Sequence, residues 1–407
     1  MKKIIVVSYD LNPYWGSEAT HCHNWLLAIA GLLDIEAVVH IKNRPNIERF
    51  SYPDNIHFRF IDTDTKLSRF GSRAGIYNLP YSAFERQLKR DIIPLIKTGS
   101  YEFIHLLSPA GIHYNTDLYR SINLPYVLGP IEGGLRLPDG FEKIFDTKGK
   151  IKNRIRTAFY NRMKRNSGFA EYVRHASRVI INTDNVREYL PEDLSTGVYT
   201  IFDSVVHLED IPDMDLKPER NRIIVTFSGS IRRIKGIELL VDSAELLRKL
   251  DKNLFNRLLF RIIGDGPLLD SIKQRLNRNG LSKNFEIIGK IPRKKALDLV
   301  ADSDIFCLPS LRENGGMAII EAMAIGLPII TSDHGGPAFS VCDDCGIKIK
   351  PTSMEQYIRE LAEAIARLAN DRSLRLSMGK TAREHASKEF TVHAVRDKLR
   401  DIYEGLY

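Results

Sequence analysis

The run Arg312-Glu313-Asn314-Gly315-Gly316-Met317-Ala318-Ile319-Ile320-Glu321-Ala322-Met323-Ala324-Ile325-Gly326-Leu327-Pro328 sets two carboxylates eight positions apart around a Gly-Gly pair. The preceding Ile305-Phe306-Cys307-Leu308-Pro309 reads as a buried strand, and Gly316 to Ala324 reads as a helix closed by Gly326. Glu313 then lies in the loop between strand and helix, and Glu321 about a turn and a half into the helix. The amides of Gly315, Gly316 and Met317 open that helix, a natural seat for phosphate. Two acceptor carboxylates beside an anion seat suit a ligand with phosphate in the middle and hydroxyls at both ends. A nucleotide-sugar is such a ligand.

Outward from this run, short β-branched stretches alternate with helical patterns through both halves of the chain. They fall at Ile4–Ser8, Ile35–Ile41, Phe103–Leu107, Tyr126–Leu128 and Val179–Asn182, then at Ile223–Ser228, Leu258–Ile263, Phe285–Ile288, Ile305–Leu308 and Leu327–Thr331. Ile237–Leu250 carries Leu239, Leu240, Ala244, Leu246, Leu247 and Leu250 at helical spacing. The alternation predicts an α/β chain with two Rossmann-like, doubly wound parallel sheets and ligands at the strand C-termini. Its 407 residues exceed what one core usually serves, and 43% hydrophobic residues are enough to fill two. The expected division is a first domain over 1–203, a linker over 204–222, a second domain over 223–390, and a last helix over 391–407. The linker is placed where the sequence is polar, carries two prolines and loses periodicity.

The Glu313–Glu321 run resembles the E-x7-E element of retaining glycosyltransferases of the GT-B fold, in glycosyltransferase family four (the "group 1" transferases). That resemblance implies that Glu313 contacts the donor sugar and Glu321 the nucleotide ribose. It also implies a cleft between the two domains and a terminal helix crossing back to the first. Thr226-Phe227-Ser228-Gly229-Ser230-Ile231-Arg232-Arg233-Ile234-Lys235-Gly236 follows a strand and opens a helix. Its glycines admit a phosphate to the backbone and its cations can neutralise a departing diphosphate. It is similar to the family's G-R-L-x(n)-K-G element, with Lys235 at the family's Lys. Ser230 stands where the family has Arg, so Arg232 or Arg233 would supply that charge. Gly264-Asp265-Gly266-Pro267 matches a G-x-G-P turn. Gly289-Lys290-Ile291-Pro292 resembles the loop whose backbone reads the base, with Lys290 and Ile291 as its candidates.

In the first half, Asn12-Pro13-Tyr14-Trp15-Gly16-Ser17-Glu18-Ala19 follows the first strand, with Gly16 at a turn and Ser17 as a helix cap. It resembles a P-x-x-G-S-E subgroup of the family, in which this glycine lies near donor phosphate and acceptor. Gly129-Pro130-Ile131-Glu132-Gly133-Gly134 matches the same subgroup's G-P-x-G-G-G run, and Glu132 stands near the place of the family's catalytic-region His. His105, on an apolar strand, is the other candidate there; a histidine so placed is more commonly structural.

Between Lys143 and Arg178 eleven Lys or Arg face two acids, a local excess larger than the net +8 of the chain. Ile151, Ile155, Ala158, Phe159 and Met163 recur there at helical spacing. Such a helix either lies on an anionic membrane surface or packs on its own sheet through the apolar stripe. Four cysteines without a disulfide framework, and no signal-peptide pattern or membrane-spanning run, lead us to expect the cytoplasm, with the inner face of the cell membrane as a further option. Cys342-Asp343-Asp344-Cys345 lacks the second pair that a metal site needs, and His21 and His23 face different sides of a helix. Asp62-Thr63-Asp64 and Asp213-Met214-Asp215 read as loop acids.

No metal or cofactor is expected. The expected donor is a UDP-, GDP- or ADP-sugar and the expected acceptor a glycan or lipid-linked glycan. The resemblance thus implies a retaining, metal-independent hexosyl- or hexosaminyltransferase. A GT-B-like epimerase or a glycan phosphorylase would share the fold. A nucleic-acid binder would explain the basic stretch but not the glutamate pair.

Overall fold

The computed structural model describes residues 2–14, 17–63, 78–114, 116–212 and 220–407. Trp15, Gly16, Asp64 and Asp213-Met214-Asp215 lie outside the described residues. The chain divides into two compact units, one of Met1–Gly134, Ala158–Val205 and Val392–Tyr407, the other of Leu135–Thr157 and Val206–Thr391.

The first unit contains a parallel sheet of β1 (Lys3–Ser8), β2 (Asp34–His40), β3 (Ile56–Ile61), β4 (Ile104–Ser108), β5 (Tyr126–Ile131), β6 (Arg178–Ile181) and β7 (Val198–Thr200). Their order is β3-β2-β1-β4-β5-β6-β7, so the winding reverses between β1 and β4. The central strands are buried along nearly their whole length, as strands covered on both faces must be. One face packs against the helix Ser17–Ala30, and Val395, Leu399, Ile402 and Tyr403 of the helix Val392–Tyr403 join the same core. The last helix of the chain is therefore part of the first unit.

The second unit contains β8 (Ile223–Ser228), β9 (Leu258–Ile263), β10 (Phe285–Gly289), β11 (Ile305–Leu308), β12 (Ile329–Ser332) and β13 (Gly346–Ile349), in the order β10-β9-β8-β11-β12-β13. Every neighbouring pair is parallel. This is the doubly wound arrangement, and its reversal lies between β8 and β11. Both sheets are Rossmann-like, as the alternation of strands and helices predicts.

Three strands escape the β-branched reading: β3, β7 and β13. Each is at a sheet edge and only partly buried: β3 alternates Ile56, Phe58 and Phe60 with His57 and Arg59, and β7 and β13 are short, so none reads as a continuous apolar run. Residues 135–157 also depart from an unbroken first domain over 1–203. Phe141 and Ile144 are buried within the second unit, where the Phe141 ring lies 5.8 Å from that of Tyr357. Arg233 donates from Nη1 to the Ile144 carbonyl at 2.8 Å, fastening the same segment.

The cysteine expectation is corrected as well. Cys342 and Cys345 are joined as a disulfide across a turn that brings their Cα atoms to 5.0 Å, within the usual range. The turn forms because Cys345 N–H donates to the Cys342 carbonyl after the short helix Gly335–Ser340. Cys22 and Cys307 are free and buried. Among the described residues no helix is long and apolar enough to cross a membrane.

Candidate functional site

In a doubly wound sheet, loops from the strands on either side of the reversal point diverge and leave a crevice. In the second unit those loops are residues 229–236 after β8 and 309–316 after β11. The glutamate run and the basic turn both emerge there.

The β8 loop is held from two sides. Gly229 N–H donates to the Ile263 carbonyl, and Ile231 N–H to that of Asp265. A Cβ on Gly264 would fall 1.9 Å from the Gly229 oxygen, and one on Gly266 would fall 2.5 Å from that of Ile231. The Gly264–Gly266 turn thus acts as a backing for the loop. On the other side Leu311 N–H and Ser310 Oγ both donate to the Ile234 carbonyl, at 2.9 and 3.0 Å. Gly236, at φ 75°, packs so closely on the Pro309 carbonyl that any side chain there would collide with it.

These contacts bring Lys235 Nζ onto Glu313 Oε2 as a half-buried ion pair. Arg232 is exposed, with no side-chain partner among the described residues, whereas Arg233 is committed to Glu238 at 3.3 Å and to the Ile144 carbonyl. Of the two arginines, Arg232 alone is free to meet an incoming anion.

Gly316, at φ 85°, precedes the helix Met317–Ile325, and Gly326, at φ 95°, closes it. No side chain caps the N-terminus, so its first amides remain available to an anion. The Glu313 carbonyl accepts from Gly336 N–H at 2.8 Å, which fixes the loop from behind. Glu321 lies on this helix with its side chain mostly buried, and Arg293 Nε donates to its Oε1 at 2.8 Å. Burial pushes the Glu321 carboxyl above its ordinary value, and the Arg293 guanidinium opposes that shift. Arg293 also holds Asp210, Nη1 to Oδ2 at 2.9 Å.

Sequence reasoning missed Arg293 and Asp210. One signal was present: Arg293 is a cation at the first position of a helix, where the helix dipole disfavours positive charge unless an acid meets it. Lys290 and Ile291 sit just before that helix, Lys290 exposed and Ile291 half-buried, while Ser230 is half-buried in the β8 loop.

In the first unit the two candidates are occupied. His105 is fully buried, its Nδ1 2.5 Å from the Tyr403 hydroxyl and its Nε2 2.8 Å from the Gly129 carbonyl. Burial pushes its pKa down to about 4, partly offset by the Gly129 contact, so the ring is neutral at pH 7. It is a core histidine with both nitrogens engaged, which corrects its candidacy as a catalytic group.

Glu132 is turned inward to Asp203, and His21 Nδ1 lies 3.3 Å from Asp203 Oδ2. Burial drives Glu132 well above the carboxylate range, reinforced by the Asp203 charge. Asp203 is raised by burial too, but His21 and the Glu132 proton outweigh this and hold it low. His21 is lowered by burial and raised more by Asp203, so it ends above its ordinary value. Ligand atoms of the three lie within 4.8 Å of one another, the one such group among the described residues close enough to hold a metal. With Glu132 held neutral and His21 as counter-charge to Asp203, the charges of the group balance internally. Its position explains its cost: Trp25 Nε1 donates to the Asp203 carbonyl at 3.3 Å and Asp203 N–H to Asn182 Oδ1 at 3.0 Å. The network clamps the strand-end segment 201–205 to the helix Ser17–Ala30, and it leaves Glu132 engaged rather than open.

Residues 212–385 match the family described as "Glycosyl transferases group 1". The chain is 28% identical over 204 residues to the Escherichia coli protein named UDP-Gal:alpha-D-GlcNAc-diphosphoundecaprenol alpha-1,3-galactosyltransferase, a match that covers 50% of each. The chain thus spans about half the length of that curated relative. Among solved structures it is similar to sucrose-phosphate synthase from Thermosynechococcus elongatus, with a TM-score of 0.65 at 16% identity over 100% of this chain and 99% of that one. It is also similar to Anabaena HepE in complex with UDP, with a TM-score of 0.60 at 16% identity over 99% of each chain. At that identity the likeness establishes the fold.

The buried acid pair has a stability consequence whose sign follows from linkage. The folded chain keeps the Glu132 proton that the unfolded chain releases as pH rises past 4.5, so this group costs stability as pH rises. The His21 contribution is present below 6.5 and is also lost as pH rises, whereas that of Asp203 is present above 3.8 and lost as pH falls. Glu132→Gln keeps the neutral shape and removes the first cost. In urea unfolding from about pH 5 to about pH 8 the variant should gain on the wild type steadily as pH rises. A difference that does not change with pH would show that Glu132 is ionised in the folded protein.

Proposed function

From the membership of residues 212–385 in the group 1 glycosyl transferases, we propose that this chain is a retaining, metal-independent glycosyltransferase. It moves a hexosyl or hexosaminyl group from a nucleoside-diphosphate sugar to a glycan or lipid-linked glycan. The observation that carries this reading is the Lys235–Glu313 pair beside an uncapped helix N-terminus at the reversal point of the second sheet. A diphosphate-sugar can replace each partner of that pair with a better one: phosphate for Lys235, sugar hydroxyls for Glu313. Lys235, Arg232 and the Gly315–Met317 amides then stabilise negative charge as the diphosphate departs, usually the largest contribution to such a reaction. Glu321 accepts from the ribose hydroxyls. The departing phosphate oxygen takes the acceptor proton, and the new bond forms on the face the diphosphate leaves. Closure around the donor would exclude water. UDP stands first among the candidate bases because Anabaena HepE, which has the same fold, was solved with UDP; GDP and ADP complete the set to be tested.

Glu313→Ala and Lys235→Ala should each lower turnover by about a hundredfold or more, with the thermal unfolding profile retained. Glu321→Ala should weaken donor binding by about 1.5–3 kcal/mol, as expected for a hydrogen bond to a charged acceptor. Near-normal turnover in both Glu313→Ala and Lys235→Ala would remove the basis of the assignment.

Protein cations around the diphosphate make a divalent ion unnecessary. Activity measured after EDTA treatment should therefore equal that of the untreated enzyme. Loss on chelation that Mn²⁺ or Mg²⁺ restores would place the charge stabilisation on a metal instead.

The lipid-linked form of the acceptor is favoured by the helix Thr147–Met163, whose stripe Ile151, Ile155 and Phe159 is 52%, 65% and 41% exposed. Met163 of the same stripe packs against the core of the first unit, so the exposure of the other three is what supports a membrane-facing helix. Flanked by Lys150, Lys152, Arg154 and Arg156, it has the character of a helix lying on an anionic membrane, where each nearby cation contributes about 1 kcal/mol. Replacing those four cations by Gln should abolish co-sedimentation with vesicles containing anionic lipid, and added salt should do the same to the wild type. A wild type that stays in solution even at low salt would make the acceptor a soluble glycan.

A further inference from the structure

Arg293 joins two acids from separate elements: Nε to Glu321 Oε1 at 2.8 Å and Nη1 to Asp210 Oδ2 at 2.9 Å. Asp210 closes the turn Leu208–Asp210, whereas Glu321 belongs to the helix Met317–Ile325. The charged groups facing Glu321 are these two alone among the described residues, since its own helix carries no other charge. Glu321 Oε1 is therefore occupied, and Oε2 has no side-chain partner among the described residues. A mostly buried carboxyl tends to take up a proton, and a protonated carboxyl accepts poorly from a hydroxyl. Arg293 opposes that tendency, and its second bond, to Asp210, fixes the guanidinium in place.

We propose that Arg293, braced by Asp210, is a positioning residue that keeps Glu321 ionised with one oxygen turned free for the ribose hydroxyls of the donor. Arg293 acts through Glu321 and need not touch the nucleotide. The inference rests on the reading of Glu321 as the ribose acceptor. It adds that donor affinity is set by a residue on the helix Arg293–Ala301 and by an acid of the turn before β8.

The test is calorimetric titration of the full chain with UDP, GDP and ADP between about pH 5.5 and about pH 8.5, using whichever nucleotide binds the wild type. Five proteins are compared: wild type, R293M, R293K, E321Q and the R293M/E321Q double variant. In R293M the Glu321 pKa rises further, so binding should be weakened most at low pH and should recover toward the wild type at high pH. A displacement of one pKa unit makes that pH-dependent part about tenfold. In E321Q the difference from wild type should be flat with pH, and R293M should add little on top of it. R293K keeps the charge and should restore most of the affinity near neutral pH; it also serves where R293M is poorly folded. Weakening in R293M that is equal at every pH and additive with E321Q would overturn the proposal and make Arg293 a direct ligand. No weakening in R293M would overturn it too. E321Q binding as well as wild type, or no nucleotide binding to the wild type, would instead overturn the underlying reading of Glu321.

Discussion

A Cβ on Gly236 would lie 1.9 Å from the Pro309 carbonyl oxygen, so the two loops at the reversal point of the second sheet meet in a contact only glycine permits. What surrounds the candidate donor site depends on that approach. It sets Ile234 against Ser310 and Leu311, and so delivers Lys235 to Glu313 across 78 residues of sequence. The cation and the carboxylate belong to the loops that follow β8 and β11, and only the doubly wound order makes those strands neighbours. A phosphate placed there meets a lysine, an exposed arginine and an uncapped helix N-terminus. Each of these is fixed by backbone bonds made before any ligand arrives, which is the condition for electrostatic stabilisation without reorganisation.

The polar groups of the first unit serve a different end. His105, Glu132, Asp203 and His21 are all titratable, yet they face one another, a buried tyrosine or a carbonyl. Such a network is costly to bury, and it stands where the chain leaves the first sheet at residues 201–205. The Tyr403 contact extends the same economy to the final helix, whose hydroxyl gives His105 a partner in an otherwise apolar core.

Much of this was legible in the sequence, for a physical reason. Central parallel strands are buried on both faces and read as apolar runs, so the inner strands and the helix Ile237–Leu250 fall where the pattern puts them. The Gly-Gly helix start and the Gly326 stop are also local signals, since positive φ selects glycine. What was not legible is non-local. Edge strands β3, β7 and β13 are half-exposed, and the capture of residues 135–157 by the second unit depends on where Phe141 and Ile144 find cover. The disulfide needed a turn whose geometry a lone C-x-x-C does not reveal. The two acids that Arg293 meets come from separate elements, which the sequence alone does not pair. A motif names residues that touch the ligand; it is silent on those that keep them charged and aimed.

The central claim is a location: the diphosphate is held between the β8 loop and the start of the helix Met317–Ile325. Backbone amide hydrogen exchange with and without saturating nucleoside diphosphate, tried as UDP, GDP and ADP, tests it directly. The account predicts that one of them slows exchange at residues 229–236 and 315–319 together, while the first-unit segment 201–205 does not change. Slowed exchange in the basic helix or the first-unit loops alone, with those two turns unaffected, would contradict it.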